Sequence, residues 1–153
     1  MKKQTYPCMT VRKTNSAESL FLEEVPGQLS DSDVLVFIHT KDIDWKYIVA
    51  IKRLTNFNDE VISDWLNVSV KTFRSYQLPK NKFKENMKER VLLLLSLIKQ
   101  GIQLFGNREH FDHWLNSANF FFDNQSPLSY LNTVTGIRFV SDRLRAMEYG
   151  DNV

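Results

Sequence analysis

The sequence is poor in the residues that carry most enzyme and metal chemistry. Cys8 is the only cysteine among 153 residues. A single thiol excludes an intrachain disulfide and a thiolate zinc cluster, and it suits a reducing compartment. There are three histidines, of which His110 and His113 stand three apart with Asp112 between them. No third ligand follows nearby, so surface or core-edge histidines are expected rather than a metal site. The five glycines form no phosphate-cradling loop, no nucleophile stands beside a base, and no two carboxylates are paired in an organised setting. The expectation is a protein that is not an enzyme and carries no cofactor. The opening MKKQTYPCMTVRKTN is basic but lacks the apolar core of a secretory signal. The greasiest run, residues 91–98, is broken by Ser96 and falls far short of the roughly 20 residues that span a bilayer. A cytoplasmic chain without a membrane segment is therefore expected.

The rest of the composition is that of an ordinary globular protein, 42% hydrophobic and 25% charged. Its length fits one domain, or two small ones sharing a core. The net charge is only +2, yet residues 41–90 hold eleven of the 20 Lys/Arg against seven of the 18 Asp/Glu. A basic middle third is a candidate for nucleic acid, and equally describes a solvated basic face.

Residues 1–30 show no sustained period and include Pro7, Pro26 and Gly27. They read as an N-terminal extension with a short turn of helix around 19–24, covering part of a helical core. From Ser30 the pattern turns helical. Ser30 with Asp31 and Asp33 supplies a cap ahead of Val34, Leu35, Phe37 and Ile38, and Asp42 or Asp44 caps a helix over about 45–55 with Ile48, Ile51 and Leu54 inward.

In residues 58–77, NDEVISDWLNVSVKTFRSYQ, Asn58 caps a helix with Val61, Ile62, Trp65 and Leu66 on its apolar face. Asn67 tolerates positive φ and fits a tight turn. Ser69 caps a second helix with Phe73 and Tyr76 inward. Helix, short turn and helix at this length make a helix-turn-helix. In detail the stretch resembles the Xre-type repressor version: Ile62-Ser63, Asn67 in place of the usual turn glycine, Val68-Ser69, Thr72, Phe73 and Tyr76 fall where that family has them. The candidate DNA-binding residues are Ser69, Val70, Lys71, Thr72, Arg74 and Ser75, with Ser69, Lys71 and Thr72 on phosphates and Arg74 on a base edge. The structural alternative is a helix-turn-helix kept only for packing or dimerisation, since the second helix carries just two cations.

Beyond Leu78-Pro79, residues 81–105 spell a long helix with Phe83, Met87, Val91, Leu94, Leu95, Ile98, Ile102 and Phe105 at helical spacing. Leu92, Leu93 and Leu97 make it apolar around much of its girth, which calls for burial on several sides, a homodimer contact, or both.

The last third holds three capped helices. Gly106 ends the long helix and Asn107 caps the next, with Phe111, Trp114 and Leu115 on one face. Ser126-Pro127 opens a second with Leu128, Tyr130 and Leu131. Thr133 opens a third, with Ile137, Val140, Leu144 and Met147 as its stripe and Arg138, Arg143 and Arg145 off it. The order of Phe105-Gly106, Trp114-Leu115-Asn116, Ser126-Pro127-Leu128, Leu131-Asn132-Thr133, Gly136, Val140 and Tyr149-Gly150 resembles the toxin-binding domain of Xre/MbcA/ParS-type antitoxins. Phe120, Phe121, Phe122, Asp123 and Asn124 depart from that pattern, where a small-residue turn is usual.

The resemblance implies an all-α chain: an N-terminal extension (1–30), an Xre-like helix-turn-helix domain (31–80), a connecting or dimerisation helix (81–105) and a small helical toxin-binding domain (106–153). It implies an antitoxin that neutralises a RES-type, NAD-degrading toxin and represses its own operon by binding operator DNA as a homodimer. Aromatic and arginine content, favoured at protein interfaces, points to Phe120, Phe121, Phe122, Arg138, Arg143, Arg145, Glu148, Tyr149 and Gly150 as toxin-binding residues. The alternative is a stand-alone helix-turn-helix repressor whose C-terminal domain only dimerises.

Overall fold

Most helices start where a side chain accepts from an otherwise orphaned backbone N–H. In the computed structural model, which describes residues 23–150, Ser30 opens α1 (Asp31–Thr40) with a reciprocal capping box: Asp33 N–H donates to Ser30 Oγ and Ser30 N–H donates to Asp33 Oδ2. Asp44, rather than Asp42, caps α2 (Trp45–Leu54). Asn58 caps α3 (Asp59–Trp65) and Ser69 caps α4 (Val70–Ser75). α5 (Glu85–Phe105) has no side-chain cap and ends at Gly106, whose φ of 81° is left-handed. Asn107 caps α6 (Arg108–Asn116) and Thr133 caps α7 (Val134–Glu148). Between them lie two 3-10 turns, Phe120–Phe122 and Pro127–Tyr130. No strand occurs among the described residues, and the fold is all-α as expected. Cys8 and most of the expected 19–24 turn lie outside the described residues.

The expected helix at Ser126-Pro127 is instead a single 3-10 turn without a side-chain cap bond. Thr133 restarts the chain as α7 only three residues after Tyr130, which leaves no room for an α-helical repeat.

α5 is the axis of the molecule. At about 1.5 Å per residue its 21 residues run roughly 32 Å. α1, α2, α6 and α7 all pack on it. Residues 91–98 are all buried, and the core they centre is continuous from Val25 to Leu144. Burial inside one chain thus accounts for the apolar girth that the sequence left divided between core and dimer contact.

Three polar devices hold the other elements to this axis. Ser96 Oγ donates to Pro26 O (2.8 Å) and Lys99 Nζ donates to Val25 O, pinning the chain ahead of α1. Burial lowers the pKa of that lysine. Gln100, buried, exchanges hydrogen bonds with Ser141 on α7. Arg90 Nη1 donates to Asn132 O (2.7 Å) and, more weakly, to Trp65 O (3.5 Å), so one guanidinium ties the end of α3 to the turn before α7. Gly101 sits mid-helix because a Cβ there would lie 2.1 Å from the Phe111 ring, which α6 presses against the backbone.

Candidate functional site

Two surfaces of this bundle display the residues that the sequence singles out. The first is built by the loop between α6 and α7. A 3-10 helix turns once in three residues, so three consecutive side chains point in three directions. Phe122 goes in: it is fully buried, with ring centroids 5.9 Å from Trp114, 5.4 Å from Tyr130 and 5.1 Å from Phe139. Tyr130 OH donates to Phe122 O at 3.0 Å and locks the turn from behind. Phe120 and Phe121 go out, 80% and 41% exposed.

The loop that displays them closes on itself. Phe121 N–H donates to Asn119 Oδ1, Asn119 N–H donates to Gln125 O, and Asp123 and Asn124 take left-handed φ values of 52° and 58° to reverse the chain. Over the Phe121 ring lies Arg143, its guanidinium carbon 3.4 Å from the centroid. Phe139, four residues before Arg143 on the same face of α7, is 45% exposed. Phe120, Phe121, Phe139 and Arg143 therefore make one aromatic and cationic patch.

Of the expected toxin-binding residues, Phe122 is corrected: its side chain is a core anchor and offers no ring to a partner. Arg138 is half-buried and paired with Asp31 of α1 at 2.5 Å. Arg145 meets Asp142 at 3.3 Å. Glu148 accepts from Gln28 Nε2 at 3.0 Å, and Tyr149, 81% exposed, caps the end of α7 before Gly150 at φ 94°. Phe139 escaped the sequence reading because it lies off the core stripe. Its i,i+4 spacing from Arg143 was the available signal.

The second surface is α3, a turn and α4. Asn67 adopts φ 55°, and Val68 N–H reaches back to Ser63 O at 3.0 Å. Phe73 seats α4 against Trp45, and Tyr76 packs edge-on to Phe83. Ser69, Lys71, Thr72 and Arg74 are exposed, while Val70 and Ser75 are half-buried. The Ser75 hydroxyl donates back to Thr72 O (2.6 Å), and Ser69 Oγ, which accepts Thr72 N–H, donates to Thr72 Oγ1 (2.9 Å).

Arg74 is engaged across the turn. Its Nε donates to Asp59 Oδ2 at 2.9 Å, and Lys52 Nζ of α2 donates to Asp59 Oδ1 at 2.7 Å. The bonds from Lys52 and then Arg74 hold the Asp59 carboxyl below its ordinary value of 3.8.

The histidines of α6 serve local structure. His110 Nδ1 lies 3.2 Å from Asn107 Nδ2. Ser117 and His113 approach as a hydroxyl and an imidazole would in a nucleophile and base, 3.5 Å apart, but Ser117 gives its proton to His113 O at 2.7 Å. No three His, Cys, Asp or Glu gather as a metal site would need among the described residues. Nor, among them, is any helix long and apolar enough to cross a membrane.

The order of caps, turns and buried residues from the end of α5 to Gly150 can now be set against known families. Residues 100–150 match the family of the antitoxin Xre/MbcA/ParS C-terminal toxin-binding domain. The match covers about a third of the chain, from the last turns of α5 through α6, both 3-10 turns and α7. A search of curated proteins finds no match. The toxin-binding-like segment thus contains the whole aromatic patch. It also contains Gly136, where a Cβ would lie 1.9 Å from the Tyr130 carbonyl oxygen, so the 3-10 turn can close on α7 only over a glycine.

Proposed function

We propose that this chain is the antitoxin of a type II toxin–antitoxin pair, that its C-terminal helices bind and neutralise a RES-type, NAD-degrading toxin, and that α3 and α4 bind operator DNA to repress the shared operon. The observation that carries the reading is the coincidence of the toxin-binding-like segment with an exposed patch of Phe120, Phe121, Phe139 and Arg143. Aromatic rings and arginine are the side chains that contribute most at protein interfaces, and leaving Phe120, Phe121 and the outer part of Phe139 exposed costs a solitary domain solubility. Tyr149, 81% exposed at the end of α7, is included in the proposed toxin contact. For DNA, the support is an exposed α4 with Ser69, Lys71, Thr72 and Arg74 on its outer face, within the basic middle of the chain. Homodimerisation belongs to the proposal as well. The leucines of α5 are inside the chain, so a second copy would have to use other surface.

The test is to co-express the chain with the protein encoded beside it, then measure copurification and cellular NAD. A stable complex with preserved NAD is the expected result, weakened by Arg143→Ala and Tyr149→Ala together. No complex and no NAD rescue would leave the stand-alone repressor, with the aromatic patch serving contacts between its own copies.

A further inference from the structure

Asp59 is the first residue of α3, with a side chain only 17% exposed. It takes two cations from two other helices, Lys52 at 2.7 Å and Arg74 at 2.9 Å. The pairing with Arg74 goes through Nε alone. Glu60 Oε1 stands 3.8 Å from Nη2, an ion pair without a hydrogen bond, and the Arg74 side chain is 56% exposed. A guanidinium is planar, so a carboxylate on Nε fixes the plane and leaves the two Nη groups pointing away from it as a fork. That fork matches the O6 and N7 acceptors of guanine in a major groove.

We propose that Asp59 is a positioning residue for base recognition: it orients Arg74 so that the Nη pair meets a guanine edge, while Lys52 offsets the carboxylate charge that would otherwise face the phosphates. This rests on the reading of α3 and α4 as a DNA-binding unit. It predicts a signature that a structural ion pair does not produce. Removing the Asp59 charge takes a repulsive group away from the DNA backbone, so non-specific affinity holds or rises. At the same time Arg74 loses the one carboxylate that hydrogen-bonds its Nε and keeps only the exposed Glu60 pair at 3.8 Å, so it samples several orientations and discrimination between sequences falls.

The experiment is a selection of binding sites from a random-sequence duplex pool with the full chain and with Asp59→Asn, followed by anisotropy titrations on the selected duplex and a scrambled one. The wild type is expected to select a motif with a fixed G·C pair. Asp59→Asn is expected to lose the preference at that pair, with the selected-to-scrambled affinity ratio falling about tenfold and scrambled affinity undiminished. Arg74→Lys keeps the charge but not the fork, and is expected to lose the same pair. Retention of the pair by Asp59→Asn, or by Arg74→Lys should the first variant fail to fold, overturns the proposal. So does an equal loss on both duplexes accompanied by a lower melting temperature. If the wild type selects no motif, the DNA-binding reading itself fails and the proposal falls with it.

Discussion

Arg74 on α4 and Arg143 on α7 are both partly exposed arginines on the outer side of a helix, yet the molecule holds them by different physics. Arg74 is held by the Asp59 carboxylate, whereas Arg143 sits over the Phe121 ring. A carboxylate orients a guanidinium through one edge and keeps it hydrated. Such a pair is worth little to stability when exposed and weakens with salt. A ring flattens the guanidinium against apolar surface, and contact made there draws on burial, which salt does not weaken. The two surfaces should therefore differ in how they respond to the same perturbations.

The largest effect should come from the anchor under the aromatic surface. Phe122→Ala empties a fully buried site and should destabilise the fold by about 4 kcal/mol in urea melts. Phe120→Ala, two residues away and 80% exposed, should change stability by less than about 0.5 kcal/mol while weakening toxin capture about tenfold. Similar losses of stability for both would contradict the division into inner and outer rings.

Gly136→Ala should follow, at about 3 kcal/mol, because the obstructing atom is the Tyr130 carbonyl and backbone cannot swing aside. Gly101→Ala meets only the Phe111 side chain and gains about 1 kcal/mol of helix propensity, so it should cost less than Gly136→Ala. The reverse order in thermal melts would mean that the 3-10 turn, not α6, is the yielding partner.

Salt then sharpens the comparison between the surfaces. If α3 and α4 bind operator DNA as proposed, raising salt from 50 to 200 mM should weaken that binding steeply, and Arg74→Ala should remove base preference while Lys71→Ala shallows the salt dependence by about one phosphate contact. Toxin capture over the same range should change little, and Arg143→Ala should weaken it several-fold at either salt. Equal salt dependence at both surfaces would mean that the aromatic face also binds mainly through charge.

How far these features were legible depends on whether their cause is local. Ser30, Asn58, Ser69, Asn107 and Thr133 each cap a helix by bonding within three residues, and all five are readable from the string. The positive φ of Asn67 follows from its place between two such helices. The run of three phenylalanines could not be divided into inside and outside without knowing that it forms a 3-10 turn closed by Asn119 and Gln125. Arg74 could not be paired with Asp59, fifteen residues away, nor Arg90 with Asn132, because those partners meet only once the helices pack. Phe139 was hidden by the same rule that found Val140: the stripe identifies what is inside and is silent about which outer residues adjoin.

The smallest effect separates two aspartates by the sign of their pH dependence. Asp59, held down by Lys52 and Arg74, contributes stability that is present above its ordinary value of 3.8 and is lost as pH falls through its lower folded value. Asp112 on α6 is shifted the other way, raised chiefly by burial, and its Oδ1 has no hydrogen-bond partner. Its contribution is present below 3.8 and lost as pH rises through its higher folded value, so at neutral pH the charged form strains the fold. Asp112→Asn should therefore raise stability slightly at pH 7 and do nothing at pH 3. Asp59→Asn should lower stability at pH 7, and the loss should fade as the wild-type carboxyl protonates below its ordinary range. Melts at both pH values check the pair. Parallel curves for the two variants would mean that the cations around Asp59 do not select its charged form, and that the ion pair at the α3 and α4 surface is incidental to how Arg74 is held.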